Sequence, residues 1–332
     1  MIFILLLMLF VDLKTYFLLK MMNKDTNKHL QKQLPTKNPK ALLLINFHSQ
    51  YGKKCLPEVI WCLENTGFKL ILEYPESPQI VCKLIKNYKD EVDLVIIAAG
   101  DTVLNSAADA LVETQLPLGI IPLGTTNNLA KNLGIPKNLH QACQFIANGN
   151  IEYIDLGWVN GKYFINFATL GLSTDITTKL IRKDKFPWSI FTYLINVLQI
   201  LYSSRPFSAE IHHRHGSIPI KTVHIGIHNG HNKIKSKDQS LYIVKNNISS
   251  SNQGLNIHSL KIEYRWQIIS LLKALRYKNH HNSYENIIHS GENLKIFTYK
   301  PVPINTDGEI TAYTPAEFRL APQALPVLIP KN

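Results

Sequence analysis

Two short turns of small and polar residues, each following an apolar run, hold the residues of this chain best suited to chemistry. Asp93–Ala98 leads into Gly100-Asp101-Thr102 and then into helical spacing. Leu118–Pro122 leads into Gly124-Thr125-Thr126-Asn127-Asn128 and a further helix. Two strand–turn–helix units in tandem bring two sets of backbone N–H groups to one edge of a parallel sheet. Helix N-termini there leave donors unpaired and carry the positive end of the peptide dipoles, an arrangement suited to phosphate. The pattern implies a nucleotide-phosphate site. Gly124-Thr125-Thr126 alone could equally be an ordinary strand–helix turn with an N-cap, so the reading depends on the segments around it.

Those segments alternate. Ala41–Asn46 is a continuous apolar run, as in a buried parallel strand. Phe47–Lys54 reads as a loop and Leu56–Asn65 as a helix closed near Gly67. Phe68–Glu73 reads as a strand, Ile80–Tyr88 as a helix, and Asn138–Asn148 as a helix closed by Gly149. Strands alternating with helices predict an open parallel α/β sheet with its ligand at the carboxyl ends of the strands. After about Glu152 the rhythm changes. Tyr153–Val159, Tyr163–Ala168, Phe207–His213, Ile218–His228, Ser240–Val244, Leu255–Leu260, Leu294–Tyr299, Ile310–Tyr313, Ala316–Leu320 and Leu325–Ile329 read as strands. Asn160-Gly161 is a two-residue hairpin signal. Two helical stretches, Ser189–Tyr202 and Tyr264–Tyr277, interrupt the series. The expected fold class is α/β plus β: an N-terminal open parallel α/β nucleotide-binding domain over 41–150, then a β-sandwich-like domain over 151–332 with the active site in the cleft between. The extreme C-terminus could pack back on the first domain.

The 332 residues and 45% hydrophobic content allow two packed domains. A net charge of +12 suits an anionic partner or simple solubility. No basic stripe interleaved with aromatics occurs, so nucleic acid is not an expected partner. The four cysteines, Cys55, Cys62, Cys82 and Cys143, form no C-x-x-C pair and no zinc spacing, which reads as reduced core thiols. His212, His213 and His215 alternate along a strand and read as exposed polar positions. Met1–Val11 is too short to span a bilayer, and 1–40 reads as an apolar segment and polar linker, with Met21 or Met22 the expected start.

Five segments, in order, resemble the diacylglycerol kinase catalytic-domain family, specifically its bacterial lipid kinases, with sphingosine and ceramide kinases as relatives. They are Asn46-Phe47-His48-Ser49 with Gly52, Ala99–Ser106, Pro122–Ala130, Asp155-Leu156-Gly157 with Asn166–Gly171, and Asp307-Gly308-Glu309. The resemblance covers roughly Ala41 to Pro330. It implies an ATP-dependent lipid kinase that moves the γ-phosphoryl group to a hydroxyl of a diacylglycerol-like lipid, with magnesium (Mg2+) attending. It further implies a cytoplasmic protein working peripherally at the inner face of the membrane, in phospholipid metabolism. Matched to family positions, Asn46, Ser49, Gly100, Asp101, Thr102, Gly124, Thr125, Thr126, Asn127 and Asn128 would hold ATP. Asp307 would be the general base, with Glu309 beside it.

The chain also departs from the family. Its G-G-D-G-T is Ala99-Gly100-Asp101-Thr102-Val103, and a threonine at a glycine requiring positive φ would strain the turn by roughly 1–2 kcal/mol. Asn128 stands where the family has an aspartate. Asn252 and Gln253, before Gly254, stand where the family has acidic metal ligands. Lys233, Lys235 and Lys237 follow Asn229-Gly230 where the family is glycine-rich. The alternative these departures raise is a relative with weakened or no catalysis that binds lipid or nucleotide. A NAD kinase ranks lower.

Overall fold

Every residue of the run Ala41–Ile45 is buried, and this run sets the first layer. In the computed structural model, which describes residues 38–45, 50–171, 206–214, 216–229, 254–260, 285–291 and 293–330, it is strand β1 (Lys40–Ile45). β2 (Lys69–Glu73), β3 (Leu94–Ala99) and β4 (Leu118–Pro122) join it in the order β2-β1-β3-β4, all parallel. β3 and β4 are buried throughout, as strands covered on both faces must be. Helices α1 (Gln50–Asn65), α2 (Pro78–Asn87), α3 (Asp101–Thr114), α4 (Asn128–Asn132) and α5 (Leu139–Asn148) alternate with the strands. α1 begins at Gln50, so the expected loop over Phe47–Lys54 is helical from that residue. Pro57, which would have suited a first turn, lies inside the helix.

The chain then becomes β-rich. β5 (Asn150–Val159), β6 (Lys162–Phe164), β7 (Phe167–Gly171), β8 (Phe207–His213), β9 (Gly216–Thr222) and β10 (His224–Asn229) come first. β11 (Leu255–Leu260), β12 (Glu285–Gly291), β13 (Asn293–Thr298), β14 (Pro303–Thr306), β15 (Glu309–Tyr313) and β16 (Ala316–Ile329) follow. Three readings are corrected. Tyr163–Ala168 is divided at Ile165-Asn166, whose amides turn toward Asp307. Ile218–His228 is divided at Val223, where the Thr222 hydroxyl bonds both the carbonyl and the amide of His224. Ala316–Leu320 and Leu325–Ile329 are one strand with a register shift between Ala321 and Leu325. β12 and β14 had been missed, since neither shows a clear apolar alternation. The expected strand Ser240–Val244 and the helices Ser189–Tyr202 and Tyr264–Tyr277 lie outside the described residues.

β16 unites the two halves. Its C-terminal part pairs with β4 and with the start of β5, and its N-terminal part pairs with β13 and the end of β5. A single sheet therefore runs β2-β1-β3-β4-β16-β13-β8-β9, parallel at one end and antiparallel at the other, and a second sheet runs β12-β11-β10-β7-β14-β15. One core fills the α/β layer, built on Leu42, Val95, Ile97, Leu104 and Leu111. Another lies between the two sheets and includes Phe164, Leu170, Ile211, Ile225, Ile257 and Phe318. The fold is an open α/β layer joined to a β-sandwich. Among the described residues, no helix is long and apolar enough to cross a membrane.

Gly157 shows how tightly the hairpin is packed. A Cβ there would lie 2.0 Å from Cζ of Phe164, which is fully buried. Gly157→Ala is expected to lower stability by about 1–3 kcal/mol through overpacking, with Phe164→Leu in the same chain recovering part of the loss. Thermal unfolding of the two variants would check this, and an unchanged midpoint for Gly157→Ala would contradict it.

Candidate active site

The backbones of the two small-residue turns touch. A Cβ at Gly124 would lie 2.5 Å from Cα of Gly100, and one at Gly100 would lie 3.1 Å from Cα of Gly124. A side chain at Gly124 would overlap the Gly100 backbone and one at Gly100 would crowd that of Gly124, so the approach favours glycine at both positions. Asp101 then stitches the turns together. Its carboxylate accepts the Thr126 hydroxyl at 2.8 Å, the Asn128 amide at 2.9 Å and the Leu129 amide at 3.2 Å. Asn127, in the left-handed region at φ 49°, closes its own turn from both sides. Its side-chain oxygen accepts the Gly124 amide at 2.8 Å and its side-chain NH2 donates to the Gly124 carbonyl at 2.7 Å.

These bonds redistribute the expected roles. The Gly124 amide, expected to face phosphate, is already taken by Asn127, and the Thr126 hydroxyl by Asp101. Asp101 and Asn127 hold the turns in shape, while Thr125 is exposed at the tip. Thr102 is an α-helical residue of α3, outside the positive-φ region, so the expected backbone strain is absent. Gly100 caps α3 without any side-chain acceptor, leaving first-turn amides available to an anion.

A third turn, Asp307-Gly308, reaches this pair from the second sheet. A Cβ on Gly308 would lie 3.5 Å from Oγ1 of Thr102. Asn105 of α3 donates to the Thr306 carbonyl at 3.4 Å. Asp307 is buried and left-handed at φ 47°, a conformation that aspartate tolerates better than most residues. Its carboxylate accepts the amides of Ile165 at 2.8 Å, Asn166 at 3.1 Å and Phe167 at 3.3 Å. Burial, opposed by the amide bonds of Asn166 and Ile165 and helped by the charge of Asp101, raises Asp307 to about 6. Burial also raises half-buried Glu309. An ionisable carboxyl with a value near neutrality, beside the uncapped start of α3, can exchange a proton with a hydroxyl placed next to it.

The geometry thus brings together Gly100, Asp101, Thr102, Gly124, Thr125, Thr126, Asn127, Asn128 and Asp307, with Glu309 two residues on. Asn46, Ser49, Asn252 and Gln253 lie outside the described residues, as do Lys233, Lys235 and Lys237. Sequence reasoning missed Asn105 and the amides of Ile165–Phe167. Asn105 was legible only as a helical asparagine, and backbone donors leave no residue-type signal. Asp155 accepts the Gln323 amide at 2.6 Å and so holds the irregularity of β16. Glu210 pairs with His212 at 3.0 Å, and His215 lies outside the described residues.

With the site described, comparison with known proteins places the chain. The diacylglycerol kinase catalytic domain family matches residues 40–159. A "Diacylglycerol kinase" of Bacillus subtilis is 30% identical over 252 residues, 73% of this chain and 79% of its own length. A Klebsiella pneumoniae protein described as a "Probable lipid kinase YegS-like" is 39% identical over 58% of this chain and 66% of its own. The solved structure of a diacylglycerol kinase from Bacillus anthracis superposes with a TM-score of 0.66 at 21% identity, covering 89% of this chain and 98% of that one. The chain belongs to the diacylglycerol kinase catalytic-domain family.

The Asn127 turn can be tested by two substitutions. Asn127→Ala and Asn127→Gly both remove the paired bonds to Gly124, but only alanine also meets the left-handed backbone penalty. Alanine is therefore expected to be the less stable by about 1 kcal/mol in chemical denaturation. Equal stability of the two would show that the backbone conformation is not a constraint.

Proposed function

We propose that the protein transfers the γ-phosphoryl group of ATP to the hydroxyl of a diacylglycerol-like lipid at a membrane surface, with Asp307 as general base. The observation that carries this reading is the convergence of three turns on one point. One supplies the uncapped first-turn amides of α3, the second packs its backbone against it, and the third brings a buried carboxyl of near-neutral titration. Asp307 receives three backbone amides and a side-chain hydrogen bond from Asn166, which fix its carboxylate beside the two turns, so taking the lipid proton requires one of these donors to give way. The first-turn amides of α3 and the tip at Thr125 would bind phosphate oxygens.

The residues present also fit a magnesium ion held mostly by substrate phosphates and water. The Asp101 carboxylate, with three donors on two oxygens, retains a lone pair. Oδ1 of Asn105 is buried without a hydrogen-bond partner. Bound there, magnesium would offset the charge that develops on the phosphate oxygens. The reading does not need the acidic pair replaced by Asn252-Gln253.

Transfer of labelled phosphate from ATP to a panel of lipids in mixed micelles tests the proposal. Wild type is expected to label an acylglycerol, and Asp307→Asn to lose on the order of 10²–10⁴-fold in rate. Asp307 must be ionised to take the proton, so the rate is expected to fall as pH drops through about 6. Nucleotide binding with no labelled lipid under any condition would instead establish a relative that has lost catalysis.

A further inference from the structure

Four side chains on the faces of α1 and α5 form a connected chain away from the candidate active site. Cys62 lies 3.0 Å through its sulfur from Nδ1 of His140. Nε2 of the same ring lies 3.3 Å from the carboxylate of Glu58, one turn before Cys62 on α1. Cys143, three residues after His140 on α5, is buried close enough to Cys62 for each thiol to shift the other's titration. The donor order that satisfies each acceptor runs from Cys62 to Nδ1, and from the Nε2 hydrogen to Glu58. Glu58 thereby fixes the tautomer in which Nδ1 can take the Cys62 proton.

The two ends of this chain meet different surroundings. Cys62 and Cys143 are 4% and 1% exposed, whereas the side chains of His140 and Glu58 are 53% and 46% exposed. The ring of Trp61 stands edge-on to His140, with centroids 5.9 Å apart. A proton taken from the buried thiol can therefore leave by way of a solvated imidazole. Burial pushes Cys62 up and Cys143 to about 12, so both rest as thiols, and only a local base makes one of them nucleophilic. Among the described residues no group of histidine, cysteine and carboxylate side chains is disposed to hold a metal ion. Thiol chemistry is the use the cluster fits.

We propose that Cys62 and Cys143 form a reversible disulfide between α1 and α5, with His140 as the base for Cys62 and Glu58 as the group that orients His140. With a hydroperoxide as oxidant, His140 takes the proton from Cys62. The thiolate attacks one oxygen of hydrogen peroxide, the O–O bond breaks to leave a sulfenic acid on Cys62, and the departing hydroxide takes the proton held by His140 and leaves as water. The sulfur of Cys143 then attacks that of Cys62. An S–S bond forms, the S–O bond breaks, and a second water leaves with the Cys143 proton. Two thiols lose two electrons, and hydrogen peroxide becomes two waters. The link would tie the helix that follows β1 to the helix that braces β4, where Ile146 packs within 3.2 Å of the position a Cβ on Gly119 would take.

The test uses the full chain, treated with hydrogen peroxide, alkylated and digested without reductant. The expected product is a peptide pair joined through Cys62 and Cys143, released by dithiothreitol. Cys143→Ser should leave a sulfenic acid on Cys62, captured by dimedone. His140→Asn should slow the cross-link on the order of 10²-fold, and Glu58→Gln less. Cys82, more exposed than either and bonded through its thiol to the Ser106 carbonyl at 2.9 Å, is the internal reference. An unchanged rate at Cys82 shows that each variant keeps its fold. Oxidation of Cys82 with Cys62 and Cys143 left free would overturn the proposal, as would a wild-type cross-linking rate in His140→Asn.

Discussion

The contact between Gly100 and Gly124 is the constraint on which the site depends. Two backbone turns approach until a methyl group on the second would overlap the first. Such closeness leaves no space for side chains to hold the turns from within, so the stitching comes from the flank. Asp101 supplies it, accepting one hydroxyl and two amides from the second turn. A charged acceptor binds amides more strongly than a neutral one, and each donor left without it in a buried turn would be costly. The carboxylate that a motif reading assigns to the ligand is thus largely occupied in making the ligand's place.

Asp307 is held by a related device with a different outcome. Three amides of one loop surround its carboxylate and favour the ionised form, while burial and the nearby charge of Asp101 favour the neutral one. Burial wins by a modest margin, leaving the group near neutrality rather than deep in the acid range. The amides also fix the carboxylate in position, so its left-handed backbone is supported by tertiary contact rather than by the turn alone. The Asp307-Gly308 turn and the loop that holds it come from opposite ends of the β-rich half of the chain, and β7, paired with β14, brings them together.

The departures from the family pattern are better understood in this light. Threonine in place of a glycine at 102 is accommodated because α3 has already begun there, and its side chain lies along the Asp307-Gly308 turn. The absence of a carboxylate at Asn128 leaves intact the bond that its backbone makes to Asp101. These substitutions fall where the architecture draws on backbone atoms and not on the side chain that changed.

Much of the fold was legible in the order of residues. β1, β3 and β4 are continuous apolar runs because both faces are covered, and the alternation with helices identifies the parallel layer without any long-range information. The turns were legible because glycine and aspartate at a strand–helix junction answer to local backbone geometry. The sequence by itself determined the class of fold and the family, and it singled out the turn residues that the structure brings together. It could not determine the division of Tyr163–Ala168, the continuity of β16 or the work done by each turn residue. Those follow from partners 140 or more residues away in the case of Asp307 and its amides. The contact of Cys62 with His140 likewise exists only once α1 and α5 lie side by side. Tertiary structure decided these because hydrogen bonds to backbone and contacts between packed helices depend on distance in space, which residue type and spacing do not encode.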